Sequence, residues 1–224
     1  MKKAILIFPN QLFKQSPLLD VNCEIYLVEE YLFFNQYKFH KQKIAFHRAT
    51  MKAYQNYLEG LSKNVHYIDA ISELCDVRVL IPKLIEKGLE YLFIIDPNDN
   101  WLHKHINNTT KDIEVSWYQS PLFINTTDEL HSFFKPSKKK FFQTTFYKNQ
   151  RLERNILMIN GKPKGGKLTY DSDNRKKYPK NKTPPNINFP KKTIYHKEAE
   201  DYVNNHFTSN YGQLNDSICY PLDF

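Results

Sequence analysis

Five short apolar runs recur through the first 120 residues, with helix-spaced segments between them. AILIF (4–8) is unbroken and ends at Pro9-Asn10, and EIYLVEE (24–30) ends in two acids. VHYI (65–68), YLFIID (91–96, stopped by Pro97) and IEVSWY (113–118) follow. A strand with no polar alternation is buried on both faces, which is the situation of a parallel sheet covered by helices. The clearest helical stripe is Ile44, His47, Met51, Tyr54, Leu58, Leu61, with Gly60 weakening its last turn. VRVLIPKLIEKG reads as a second helix, with Pro82 near its start and Gly88 as its stop. Alternating strands and helices predict a doubly wound α/β fold with a parallel sheet of about five strands. Ligands of such sheets collect beyond the carboxyl ends of the strands. Here that edge is built from Pro9, Asn10, Gln11, Glu29, Glu30 and Asp96-Pro97-Asn98.

The pattern decays from about residue 121. TTDELHSFF, with Thr127 or Asp128 as cap, and FYKNQRLERNILM read as short helices. A Pro-, Lys-, Gly- and Asn-rich stretch then reads as an extended arm, too long for an ordinary loop. The expected division is an α/β domain over 1–125 and a basic linker or arm over 126–224. Charge supports that division. The chain carries +8 overall, but residues 135–192 hold seventeen Lys/Arg against three acids, a net of +14 that leaves −6 elsewhere. Such asymmetry points to a polyanion or an acidic partner surface, with a merely solvated loop as the bland alternative. Within the arm Lys138, Lys139 and Lys140 precede Phe141 and Phe142, and Tyr147 and Arg151 follow. Cations for phosphates beside aromatic faces suit nucleic acid, although the same residues can dock the arm on another domain.

GKPKGGK (161–167) has the spacing of a phosphate-binding loop. Leu168 nevertheless stands where a Ser or Thr would hold magnesium, and no apolar strand leads into the loop. Cys23, Cys75 and Cys219 are far apart and form no CxxC, so neither a disulfide framework nor a metal cluster is encoded, and a reducing cytoplasm is the default. The N-terminal apolar run is five residues long, which suits a buried strand better than a signal peptide. No apolar stretch reaches the roughly 20 residues of a membrane span.

FHKQKIAFHRATM (39–51) brings His40, Lys41, Lys43, His47 and Arg48 to the start of the first long helix. A helix N-terminus ordinarily favours acids, and it also offers a natural anion site. His40 and Lys43 are therefore placed at the helix mouth and His47 one turn in, facing the strand ends. In the alternative reading His47 is a satisfied half-buried histidine and the lysines face solvent.

Three stretches together resemble the photolyase-related family of iron–sulfur bacterial cryptochromes and prokaryotic (6-4) photolyases. They are ILIFPNQLF, LVEEYLFFNQYKFHKQKIAFHRATM and GKPKGGKLTYDSDNRKKYP. The resemblance implies a Rossmann-like domain able to hold a ribityl-lumazine antenna at its strand ends. The residues implied to line that pocket are Pro9, Asn10, Gln11, Glu29, Phe33, His40, Lys43, His47 and Asp96. It implies that Lys138, Lys139, Lys140, Tyr147, Arg151, Lys167, Arg175 and Lys176 face DNA or a helical domain that binds FAD and a four-iron four-sulfur cluster. That domain is expected beyond Phe224. The implied function is light-dependent DNA repair by the full-length flavoprotein, a carbon–carbon lyase, with this chain inactive alone and monomeric. A blue-light receptor and a stand-alone ligand- or nucleic-acid-binding module are the alternatives. Some lumazine-binding members carry Cys and Glu near the positions of Val28 and Phe33, and a small aliphatic residue at that of His47. The pocket therefore accepts a different antenna or stays empty.

Overall fold

The computed structural model describes residues 1–214 and 219–223, with the side chains of residues 173 and 174 outside the description. Strands β1 (Lys2–Ile7), β2 (Glu24–Val28), β3 (Val65–Ile68), β4 (Leu89–Ile95) and β5 (Glu114–Tyr118) form one parallel sheet in the order β3-β2-β1-β4-β5. The expected Rossmann-like α/β class is the observed one, with strand ends shifted by a residue or two. β2 stops at Val28, so Glu29 and Glu30 lie in the turn at the carboxyl edge.

Burial on both faces explains the unbroken apolar runs. Ile5 and Ile7 join one core with Ile25, Leu27, Ile44, Met51, Tyr54 and Leu58. Ala4, Leu6 and Phe8 point the other way, into a core with Val77, Leu80, Ile81, Leu92, Ile94, Leu102 and Ile106. The first core is closed by α2 (Lys41–Gly60), which follows the short α1 (Tyr31–Phe34). The second is closed by α3 (Val77–Glu86) and α4 (Asn100–Thr109). Of the predicted α2 stripe, Ile44, Met51, Tyr54 and Leu58 are fully buried, while Leu61 caps the helix and is exposed. Pro82 falls inside α3 rather than near its start, and Gly88 ends that helix region at φ +88°, a conformation glycine adopts without steric cost. Asp99 caps α4, its carboxylate accepting from the Trp101 and Leu102 amides.

Two compact units divide the chain: residues 1–121 with 188–224, and residues 122–187. Residues 188–224, grouped above with the basic arm, therefore belong to the α/β unit. They contain α7 (Ile194–His206), whose Ala199, Tyr202 and Val203 enter the first core with Phe207. The second unit holds α5 (Thr127–His131), α6 (Gln143–Glu153) and a minimal hairpin of β6 (Met158–Ile159) and β7 (Lys162–Pro163). Thr126, rather than Thr127 or Asp128, caps α5 in a capping box with Glu129. Arg151 is the only fully buried side chain among the described residues of this unit. No helix among the described residues is long and apolar enough to cross a membrane.

Candidate functional site

The carboxyl edge of β2 and β3 is organised around a buried ion cluster. Glu29, fully buried, accepts from the Tyr67 hydroxyl (2.5 Å), the Ala70 amide (2.7 Å) and Arg48 Nη1 (3.0 Å). The same guanidinium donates to Asp69 (2.6 Å) and, through Nε and Nη2, to Glu198 of α7 (2.9 and 2.6 Å). It lies 3.4 Å from the centroid of the Tyr202 ring, and Lys52 Nζ lies 3.3 Å from that of Tyr67. Burial raises the Glu29 carboxyl above its ordinary range, against the opposing pull of Arg48 and Tyr67. Burial also works against the charge on Arg48, but the Glu198 and Asp69 hydrogen bonds and the Glu29 charge outweigh it and hold the guanidinium protonated. Of this cluster only Glu29 is among the expected pocket residues, with Arg48 noted only as a cation of the helix start. Arg48 did carry a signal, being a cation four residues after Ile44 on a stripe that faces the sheet. Nothing local points to Glu198, 150 residues away.

The expected pocket residues fall into separate arrangements. His40 is the N-cap of α2, its Nδ1 accepting from the Gln42 amide at 3.1 Å. Its ring stands edge-on to Tyr211 and so close to Gly212 that a Cβ there would lie 2.0 Å from Nε2. A capping role, with backbone packed on its far side, replaces the ligand-facing one. Lys43 lays its Nζ 3.3 Å from the Phe39 ring centroid. His47 sits with its ring centroid 5.9 Å from those of Phe33 and Phe34. Burial, then the Lys43 charge, push its pKa down to about 4, so the imidazole is neutral at pH 7. At the sheet's switch point, between β1 and β4, Gln11 Nε2 donates to Ile95 O (2.8 Å) and Asn10 Nδ2 to Pro97 O (2.9 Å). The turn begun by Pro9 places both amides, the Gln11 amide nitrogen donating to Phe8 O. Asp96 accepts from the Asn98 amide and lies 3.9 Å from His103 Nδ1.

The side chains at the strand ends offer a pteridine-like ring few free polar partners. Phe33 and His47, at two positions that would line it, pack on each other, and Val28 is fully buried. Gln11, also buried, already uses its amide on the chain. Asn10 Oδ1 and Glu30 Oε1 are buried here without a hydrogen-bond partner, two acceptors only, so each further nitrogen or oxygen of a buried ring left unpaired would cost about 1–3 kcal/mol.

In the second unit, Phe133, Phe134, Phe141 and Phe146 form a contiguous ring cluster with centroids 5.0–5.3 Å apart. Lys138 rides on it, 3.6 Å from the Phe133 centroid. Lys139, Lys140, Lys167, Arg175 and Lys176 are exposed, as is the Tyr147 ring. Arg151 is not at the surface. Its guanidinium donates to the carbonyls of Ile156, Leu157, Lys167 and Leu168, bracing the loop that carries the GKPKGGK motif. The motif contains the two-residue strand β7 and a single short turn after it, and opens no helix of the phosphate-binding kind. Among the described residues, no three His, Cys, Asp or Glu side chains gather where a metal ion could sit.

A Rossmann-like unit with a basic, ring-bearing second unit is thus the class defined by the geometry. The sequence matches the deoxyribodipyrimidine photo-lyase-related protein family over residues 5–218, and the chain belongs to that family. It is also 36% identical over 191 residues to the uncharacterized protein R852 of Acanthamoeba polyphaga mimivirus, a match covering 80% of this chain and 96% of that protein.

Proposed function

We propose that this chain is a nucleic-acid-binding part of a photolyase-related system, in which residues 122–187 neutralise DNA phosphates. Light-driven repair is then the activity of the assembly that includes a flavin-bearing helical domain. The observation that carries the reading is charge on a surface. The second unit holds fifteen Lys/Arg against five acids, and its Lys139, Lys140, Lys167, Arg175 and Lys176 all face solvent. Phosphate contacts release condensed counterions, so affinity falls steeply with salt. Family membership supports DNA as the polyanion, while the few free polar partners at the strand ends argue against an antenna held by this chain.

The test is duplex binding by fluorescence anisotropy from 50 to 200 mM salt. Six contacts give roughly a thousandfold loss of affinity over that range. Combined replacement of Lys139, Lys140 and Lys167 by Ala should lower the salt slope by about 3. A salt-independent affinity, or a slope unchanged by the triple variant, would remove this function.

A further inference from the structure

The motif GKPKGGKLTY remains unexplained by phosphate contacts alone. Its glycines shape a loop on which one tyrosine is set. Gly165 has φ +79°, and a Cβ there would lie 2.2 Å from the Tyr170 hydroxyl. That hydroxyl instead donates to Gly165 O, fixing the ring by its far end. Arg151 braces the same loop from within through its four carbonyl contacts. The ring so positioned lines a cleft of about 500 Å³, together with Tyr147, Gln143, Thr144, Thr169 and Asp171. That volume lies in the range of small-ligand sites. Both tyrosines are accessible, Tyr147 being 45% and Tyr170 43% exposed.

We propose that the cleft lined by Tyr147 and Tyr170 binds an unpaired nucleobase of a nucleic-acid strand. Every base has a π-face, and aromatic side chains in a cationic groove are how strands without pairing partners are held. The cleft supplies both elements. Lys167 Nζ lies 6.0 Å from the Tyr170 ring centroid, and the exposed Lys139 and Lys140 lie just upstream of Phe141 and Phe142, which lead into the helix that carries Tyr147. The Gln143 amide, the two threonine hydroxyls and the Asp171 carboxylate can meet the hydrogen-bonding edge of a base. A carboxylate in the cleft suits a base amine and repels a phosphate, which places the backbone outside, on the lysines. The net charge of the surrounding unit, fifteen Lys/Arg against five acids, favours a strand over a free nucleotide, because a strand brings a phosphate with every base.

This inference rests on the polyanion reading above, and one experiment separates the two. Full-length chain, Tyr147→Ala and Tyr147→Phe are titrated into a labelled 12-nucleotide single strand and into the matching duplex at fixed salt, with circular dichroism as the folding check. Tyr147→Ala should weaken single-strand binding about tenfold, the loss of one stacked base, while duplex affinity and the salt slope stay unchanged. Tyr147→Phe, which keeps the ring, should bind like the parent. Equal losses on both substrates, or no loss on the single strand, overturn the base-binding cleft and leave the polyanion reading standing. Free mononucleotide competing at the concentration of the oligonucleotide also overturns the strand assignment. Failure of the parent chain to bind either substrate at low salt overturns the polyanion reading itself.

Discussion

Glu30 is the second residue beyond β2, is fully buried, and caps α1, its carboxylate accepting from the Leu32 amide at 2.5 Å. Burial pushes its pKa up to about 7, with the Leu32 amide offsetting part of the effect and Asp76 adding to it. The folded chain therefore holds a proton that the unfolded chain releases near its ordinary value of 4.5. Below that value both states are protonated and the carboxyl is neutral with respect to stability. Between it and about 7 the parent loses stability as pH rises, and above the folded pKa the loss is complete. Glu30→Gln cannot ionise, so its advantage over the parent should grow from near zero at pH 4 to about 2–3 kcal/mol at pH 8. Urea melts at several pH values check this. A constant difference across the range would mean that the proton is not retained on folding. His47 has the opposite sign: held neutral by burial with a pKa of about 4, its contribution is full above its ordinary value and declines as pH falls toward 4.

At the scale of elements, α7 meets α2 through the Arg48 cluster, and the two partners of Arg48 differ in kind. Glu29 is sealed from water, whereas the Glu198 side chain is 44% exposed. Arg48→Ala leaves a buried carboxylate without its cation and should cost about 3–5 kcal/mol. Glu198→Ala removes a solvent-screened partner and should cost about 1 kcal/mol or less. Chemical denaturation of both variants ranks them. Equal costs would show that Arg48 serves chiefly to clasp α7 rather than to neutralise Glu29. The same helix marks where the sequence stopped being legible. The five strands announced themselves because residues such as Ala4 to Phe8 are buried on both faces of a parallel sheet, and α2 because its stripe repeats locally. α7 repeats nothing with which it pairs, and its pairing to α2 rests on apolar side chains such as Ala199 and Val203 and on two charges 150 positions apart, neither of which names its partner locally. His40 misled for a related reason. A polar residue at a helix mouth serves a ligand or the helix's own amides equally well, and only the position of Tyr211 and Gly212 decides between them. Arg151 likewise reads as a surface cation until the four carbonyls around it are known.

For the molecule as a whole, the two units differ in how they obtain their stability. The α/β unit closes two apolar cores around a sheet, one on each face. Residues 122–187 have no fully buried apolar side chain among those described and leave Phe123, Ile124, Phe142, Leu157 and Ile159 each more than half exposed. Their order depends on local devices: the α5 capping box, the Phe133–Phe146 ring cluster and the Arg151 brace. A unit with few buried apolar contacts opens at low free-energy cost, and a ligand that binds only its closed form raises that cost by mass action. Hydrogen exchange should therefore show residues 122–187 exchanging well before the sheet strands in the free chain. Adding single-stranded DNA at 100 times its dissociation constant should slow exchange in α6 and the 161–171 loop by about a hundredfold, provided exchange there proceeds through opening of the unit. The strands of the α/β unit should remain unchanged. Protection spread evenly over both units would place the contact elsewhere. Protection confined to the second unit would instead mean that ligand binding completes the folding stability that its sparse core leaves low.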